Sequence, residues 1–290
     1  MIRDASLPPL TPLSPLSLPS LSPLPPLPLP SLPSPSSFSN VTLPKSSLLS
    51  KYASIDSANN YVTQTTGVRP FDMIGQRLYT GRVAVAQAAL AYRREVFRKT
   101  RVYSDEKRTF SFAGEPVLSD IPQLKALYEE NDKAMAELDH FVGTCEAALA
   151  SCLRHDLVPP PRLTEAIATC KVQAVDTSID FCFRLKQEVG SFALMDDAGF
   201  KHMDFLQCCK FAEGDSRILM TKMSRDALKS FAKNGPPGDE DEAALCKSLA
   251  DGIKGNAEKG MGKQEAWDEE WRTVYELAGA VMRRIRREGV

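Results

Sequence analysis

Apolar residues recur three and four positions apart along most of the chain from residue 71 onward, which is the spacing of one helix face. This pattern predicts five long helices and two short ones. They cover residues 71–101, 119–155, 163–189, 216–232 and 264–287, with the short ones at 202–209 and 242–253. Beyond the lead-in before residue 71 we find no alternating strand pattern and no internal repeat. The sequence therefore predicts an all-α protein, an antiparallel bundle of four or more long helices.

Glycine, proline and acidic residues separate the predicted helices. Residues 103–116 include Gly114 and Pro116 and are predicted as a loop, whereas Pro122 suits the first turn of the helix that follows. Asp215 or Ser216 is a good N-cap for the helix over 216–232. Residues 234–242 combine prolines with an acidic run and are predicted as an exposed linker.

The helical pattern also predicts which side chains face the core. We expect Leu78, Phe183, Trp267 and Trp271 on buried stripes of their helices. The arginines and Lys99 between residues 93 and 101 indicate a solvated or anion-facing helix end. The arginine cluster over residues 283–287 is predicted to be a solvated helix end, where the helix dipole favours cations.

Residues 1–44 are almost wholly Leu, Pro and Ser and hold more than half of the chain's 21 prolines. Dense proline excludes helix, so we predict a disordered or locally polyproline II segment. It has neither the apolar stretch of a secretory leader nor the Arg-rich helix of a mitochondrial one. Three interpretations of this segment remain open. It could be a plastid-type leader, a partner-binding tail or the result of a misassigned gene start, and we rank the last of these high. Residues 45–70 are predicted as a partly extended lead-in, 71–233 as a helical domain and 234–290 as an acidic linker with C-terminal helices.

The overall composition narrows the class of protein. A net charge of -1 gives no electrostatic footprint for nucleic acid. The seven cysteines form no CxxC pair and the three histidines stand far apart, so we expect reduced thiols in an intracellular protein and no metal site. No apolar run approaches the roughly 18 to 20 residues of a membrane helix, so we expect no membrane span.

Residues 211–219, Phe-Ala-Glu-Gly-Asp-Ser-Arg-Ile-Leu, place Glu213 in a turn directly before a helix. A carboxylate on a turn held by rigid helices can act as a general base, because a loop can aim one oxygen into a cleft. The alternative is an exposed acid at a helix N-terminus, where negative charge suits the dipole. On these residues alone, the alternative is the stronger interpretation.

Four spaced motifs together resemble the C-terminal helical domain of acyl-CoA dehydrogenases and acyl-CoA oxidases. Gly81-Arg82 resembles the start of a helix in that family, and YSDEKRTF from residue 103 resembles its Tyr-x-x-x-Arg-x-x-Phe-Gly loop. QEVGSFA at residues 187–193 is similar to Gln-x-x-Gly-Gly-x-Gly, and AEGDS at 212–216 is similar to the Glu-Gly segment with the catalytic base. The resemblance covers roughly residues 48–233.

The resemblance implies FAD-dependent oxidation of a fatty acyl-CoA thioester to the 2,3-enoyl-CoA in fatty acid β-oxidation. An oxidase is slightly preferred to a dehydrogenase. Glu213 falls on the catalytic base, and Gly214 and Arg82 fall near the substrate. Residues that fall on FAD-binding positions are Lys107, Arg108, Thr109, Phe110, Gln187, Gly190, Ser191 and Ala193. Because the family shares its flavin site between subunits, a homo-oligomer is implied, located in the peroxisome or the mitochondrion.

The sequence departs from the family pattern at several positions. Lys107 replaces an arginine, which gives up bidentate phosphate contact, while Ser191 and Ala193 replace glycines and Ala212 replaces an aromatic residue. We also expect the family's N-terminal helical domain and middle β-domain to be missing, with the Pro/Leu/Ser-rich segment in their place. These departures support an alternative, a truncated non-catalytic bundle that acts as a dimerisation or partner-binding module.

Overall fold

The computed structural model describes residues 39–65, 70–112 and 114–290. Residues up to Leu48 and those from Leu49 onward form two separate units. The described part of the first unit holds one 3₁₀ turn, Lys45–Ser47. The prediction of disorder for residues 1–44 falls mainly outside the described residues.

The described chain is mainly helical, so the all-α prediction is confirmed. The lead-in contributes a two-stranded antiparallel hairpin, β1 (Ala53–Ile55) and β2 (Tyr61–Thr63), with Ser54 opposite Val62. The helices are α1 (Pro70–Glu106), α2 (Pro122–Arg154), α3 (Pro161–Glu188), α4 (Met203–Cys208), α5 (Ser216–Asn234), α6 (Glu240–Glu258), α7 (Lys263–Glu269) and α8 (Trp271–Glu288). Within the described residues, no helix is both long and apolar enough to cross a membrane.

The core lies where α1, α2 and α3 pack together and continues between α5, α6 and α8. Small side chains let the first three helices approach closely, since Ala86, Ala166 and Ala174 are fully buried. Fully buried leucines, including Leu249 and Leu277, contribute roughly 1.5–3 kcal/mol each through burial. This rigid scaffold supports the short segments between α3 and α5.

Some of the predicted stripe positions are wrong. Leu78, Phe183 and Trp271 are about half exposed, and Trp271 is the first residue of its helix. The predicted helix over 264–287 is two helices that meet at Glu270. The Glu270 amide donates to the Trp267 carbonyl three residues earlier, which is a tighter turn than the α-helix makes, and this turn separates the two helices.

Arg93 is fully buried rather than at a solvated helix end. Its Nε donates to Asn131 Oδ1 at 2.7 Å, and its guanidinium carbon lies 3.9 Å from the centre of the Phe181 ring. Burial lowers the pKa of Arg93 to about 10. The arginine is therefore part of the packing between α1, α2 and α3.

The acidic segment before α6 is not merely solvated. Glu242 is only 3% exposed, and it accepts a hydrogen bond from Arg284 Nε at 2.6 Å. Asp239 caps α6 and also pairs with Arg287 at 2.6 Å. Carboxylates of the predicted linker therefore neutralise the arginine cluster at the end of α8. These ion pairs fix the start of α6 against α8.

Candidate active site

The segment between α4 and α5 turns sharply at Glu213 and Gly214. Both have left-handed backbone conformations, with φ of 56° for Glu213 and 100° for Gly214. Glycine adopts this conformation freely, whereas a glutamate there costs on the order of 1 kcal/mol. Asp215 then caps α5 as predicted, since its Oδ1 accepts from the Arg217 amide at 2.7 Å. The carboxylate of Glu213 is thus carried by a strained turn on a well-capped helix.

A buried lysine of α3 holds this turn in place. Lys171 is fully buried, and its Nζ donates to the Lys210 carbonyl at 2.7 Å, the Gly214 carbonyl at 2.9 Å and Ser216 Oγ at 3.0 Å. An ammonium has three donors, so all of them are satisfied. Burial lowers the pKa of Lys171, and the negative charge of Asp215 partly opposes this.

Sequence reasoning missed Lys171. The available signal was a single charged residue within the mainly apolar and small residues of 166–175. A lone charge on a buried helix face needs buried partners, and here these are backbone carbonyls of a distant turn. The partners could not be identified from spacing, because they lie about forty residues further along the chain.

The carboxylate of Glu213 lies against α1 at Gly81. A Cβ atom at residue 81 would overlap Glu213 Cδ, so any other residue there would require the carboxylate to shift. The next residue, Arg82, donates from Nε to the Glu213 carbonyl at 3.0 Å. Gly81 and Arg82 lie inside α1 rather than at a helix start, because α1 begins at Pro70. The structure nevertheless brings both residues together with Glu213 and Gly214.

Within the described residues, the Glu213 carboxylate takes part in no hydrogen bond or ion pair. Glu270 provides a contrast, because its carboxylate also lies against a helix glycine, Gly252, but accepts from Asn256 at 3.1 Å and Thr273 at 3.3 Å. Glu270 therefore has the partners of a structural carboxylate. Glu213 is half-buried and unpartnered, which leaves its oxygens available to accept a proton.

Arg82 is a second cation beside the turn, in addition to Lys171. Burial lowers the pKa of Arg82, and the nearby charge of Glu213 partly opposes this. Its Nη2 would lie 3.4 Å from a Cβ at residue 214, which is ordinary contact distance, so the guanidinium lies directly beside the turn. A positive charge thus lies beside the candidate base.

The predicted cofactor segment at Lys107 to Phe110 follows α1 directly. Tyr103 to Glu106, predicted as loop, form the last turn of α1, because the first loop-forming glycine comes only at Gly114. The chain then folds back on itself. The Thr109 amide donates to the Pro116 carbonyl at 3.0 Å, and Arg108 Nη1 donates to the Glu115 carbonyl at 2.9 Å. Lys107 and Phe110 are exposed.

The second predicted cofactor segment lies beside the first. Gly190 has φ of 56° and follows the end of α3, while Gln187 and Ser191 are exposed. The Phe192 ring stacks on the Tyr103 ring with centres 4.1 Å apart, which fixes this turn to the end of α1. A cleft of about 440 Å³ lies here, and its lining includes Thr109, Phe110, Pro122 and Glu188.

The two groups of predicted site residues lie near opposite ends of α1. From Gly81 to Lys107 the helix rises about 39 Å at 1.5 Å per residue. A small ligand therefore cannot touch Glu213 and Lys107 of the same chain at once. If both groups bind one molecule, they come from two copies of the chain.

The contact between Gly81 and Glu213 can be measured. Gly75→Ala in the same helix should raise the free energy of unfolding by about 0.5–1 kcal/mol, because alanine favours helix and no atom lies within 4 Å of its Cβ. Gly81→Ala should gain less or lose stability, since the carboxylate must move. Urea denaturation measures the free energy of unfolding of each glycine variant, once as a single substitution and once combined with Glu213→Ala. Equal effects at both glycines with Glu213 intact would contradict the contact.

No protein-family model matches the chain, and no curated protein matches it. Several solved structures share its fold. The acyl-CoA oxidase 3 of Yarrowia lipolytica superposes with a TM-score of 0.63 at 16% identity and covers 86% of this chain and 43% of that one. An acyl-CoA oxidase from tomato gives 0.65 at 15% identity, with 87% and 44% covered. Acyl-CoA oxidase-2 of Caenorhabditis elegans, solved with FAD, ascaroside-CoA and ATP, gives 0.65 at 12% identity, with 86% and 43% covered.

These comparisons confirm the resemblance to acyl-CoA oxidases at the level of the fold. The identities of 12% to 16% are low, so the shared property is the helical architecture. The chain spans less than half the length of the solved oxidases, with about 43–44% of each covered.

Proposed function

We propose that this chain takes part in the FAD-dependent oxidation of a fatty acyl-CoA thioester to the 2,3-enoyl-CoA, with Glu213 as the base. The observation that carries the proposal is the partner-free carboxylate of Glu213, packed on Gly81 in a strained turn. A strained backbone conformation is costly, and such conformations cluster at functional sites. The shared fold of acyl-CoA oxidases supports the same assignment.

In this proposal, Glu213 removes the proton from the carbon next to the thioester carbonyl. A base for this step must be aimed at one hydrogen, because misplacement of about 1 Å costs on the order of 10²-fold in rate. Gly81 and the three hydrogen bonds of Lys171 restrict the turn that carries the base. Arg82 holds the Glu213 carbonyl and adds positive charge, which stabilises the negative charge that develops on the substrate.

FAD, when bound, supplies the hydride acceptor for the neighbouring carbon. The residues near the end of α1 fit a phosphate-bearing dinucleotide. Lys107 and Arg108 supply cations, Thr109 supplies a hydroxyl, and a Cβ at Gly190 would meet no atom within 4 Å, so its backbone is open to a ligand. Gln187 and Ser191 add exposed polar groups to the same region. Because about 39 Å of helix separates them from Glu213, we assign them to the flavin of a second copy.

The direct test uses the purified full chain. FAD is titrated into the protein while flavin fluorescence is followed, and an acyl-CoA is then added without oxygen. We expect saturable flavin binding and bleaching of the oxidised flavin by the acyl-CoA. Formation of hydrogen peroxide on admitting oxygen identifies an oxidase, and reoxidation only by an electron-transfer flavoprotein identifies a dehydrogenase. Folded protein that binds no flavin at any concentration overturns the proposal.

A second candidate function is a non-catalytic module that dimerises or binds a partner. Phe110 is 78% exposed, and Phe112 is fully exposed, which is unusual for two neighbouring aromatic side chains. An apolar pair at the tip of a hairpin suits burial against another protein surface. The flavin titration separates the two functions, since a module of this kind associates in sedimentation experiments but neither binds nor reduces flavin.

A further inference from the structure

A second cavity lies between α5, α6 and α7, away from Glu213 and from the cleft at the end of α1. Its volume is about 660 Å³, which falls within the roughly 300–1,000 Å³ typical of small-molecule sites. Leu228, Ile253 and Trp267 give it apolar walls, and all three are half-buried against the main core. The walls come from three helices, so the shape of the cavity is set by the fold.

Three cations also line this cavity, Arg225, Lys229 and Lys263. Within the described residues none of them makes an ion pair or a side-chain hydrogen bond. Some neighbouring charged groups are paired, since Lys222 binds Asp226 one turn along α5 and Gln264 donates to Asp268 at 2.8 Å. The cavity therefore combines an apolar interior with unneutralised positive charge.

We propose that this cavity binds an amphipathic anion, a single-chain fatty carboxylate. The aliphatic chain would pack against Trp267, Leu228 and Ile253, and the carboxylate would lie among the three cations. Apolar burial supplies most of the affinity, whereas the cations fix the orientation and favour an anion over a neutral molecule. The inference does not depend on the proposed oxidation chemistry, because none of the lining residues belongs to the Glu213 turn or to the cleft at the end of α1.

Tryptophan fluorescence provides a direct readout. The chain has two tryptophans, so Trp271→Phe leaves Trp267 as the single tryptophan, which is excited selectively at wavelengths that tyrosine does not absorb. We expect 11-bromoundecanoate to quench Trp267 saturably, because bromine quenches on contact, and we expect dodecanoate to reverse the quenching by competition. The neutral 11-bromoundecanol should bind about tenfold more weakly, and added salt should weaken the carboxylate more than the alcohol.

Two variants locate the ligand. Replacing Arg225, Lys229 and Lys263 by Gln should weaken 11-bromoundecanoate binding at least about tenfold, the combined effect of three partly exposed charges. The matched control replaces three exposed lysines elsewhere, Lys125, Lys133 and Lys247, by Gln and should leave affinity unchanged within about twofold. Ile253→Phe narrows the cavity without changing charge and should also weaken binding.

Several outcomes would overturn the proposal. One is quenching that rises linearly without saturation, and another is equal affinity for the acid and the alcohol. A third is that the control variant weakens 11-bromoundecanoate binding as much as the three-cation variant does. If the three-cation variant unfolds, the Ile253→Phe variant decides the question, because undiminished binding after this change in the cavity wall excludes the site. Urea denaturation of each variant shows which of them remain folded.

Discussion

Replacing Glu213 by Gln should slow acyl-CoA-dependent bleaching of the bound flavin by about 10³-fold, within the 10²–10⁴-fold contribution of a general base. Glutamine keeps the size and shape of the side chain against Gly81 but cannot take a proton. Flavin affinity should stay within about twofold of the original, because the predicted flavin-binding residues lie near the other end of α1. The measurement is stopped-flow absorbance without oxygen, together with a flavin titration of the same preparation.

Two other carboxylates serve as controls for this prediction. Glu129→Gln removes an exposed charge from α2, and Glu270→Gln changes a glutamate that packs on a glycine as Glu213 does. Both variants should bleach at the original rate. Normal bleaching by Glu213→Gln would place the base elsewhere. Glu213→Asp should be intermediate, with a loss of roughly 10²-fold, because it withdraws the carboxylate by about 1 Å.

The geometry of the Glu213 turn was only partly predictable from sequence. The N-cap at Asp215 is a local feature, since the capping side chain and the capped amides lie within three residues. The contact between Arg82 and Glu213 spans 131 positions, and only the order of the motifs indicated that these residues share a site. The strain at Glu213 could not be predicted, because a positive φ follows from how α1 and α3 hold the turn.

Helical periodicity predicted the long helices but not which charges are buried. Periodicity ranks positions by hydrophobicity, so it placed Arg93 and Glu242 on the surface. The structure buries both, because each finds a partner on a neighbouring helix, Asn131 for Arg93 and Arg284 for Glu242. A buried charge requires a partner, and a partner on another helix is a property of the tertiary fold.

Replacing Lys171 by Met should lower the free energy of unfolding by about 2–4 kcal/mol. Methionine keeps most of the volume of the side chain but leaves the Gly214 carbonyl and Ser216 Oγ without their donor, and each buried unsatisfied group costs roughly 1–3 kcal/mol. The variant has no ammonium to remove from water on folding, and this saving in free energy offsets part of the loss. Urea denaturation measures the difference.

Lys210→Met is the matched control, because it removes a lysine whose ammonium pairs with Asp176 at 2.7 Å in a partly exposed position. Pairs of this kind contribute about 0–1 kcal/mol, so the loss should be much smaller. An equal loss for the two variants would show that Lys171 is no more than an ordinary lysine, and that the turn is held by other contacts.

The pH dependence of the Lys171→Met effect tests the same hydrogen bonds independently. Burial lowers the folded-state pKa of Lys171 below its usual value of 10.5. Between these two pKa values the unfolded chain binds more protons than the folded chain, so the contribution of Lys171 to stability rises with pH in that window. Below the folded pKa both states are protonated, and the difference between wild type and Lys171→Met should be constant. A difference that stays constant up to pH 10.5 and shrinks above it would mean that the folded protein holds the proton more tightly than the unfolded chain. In that case the three hydrogen bonds of the ammonium outweigh its burial, and the turn that carries Glu213 would depend on the charge of Lys171 as well as on its position.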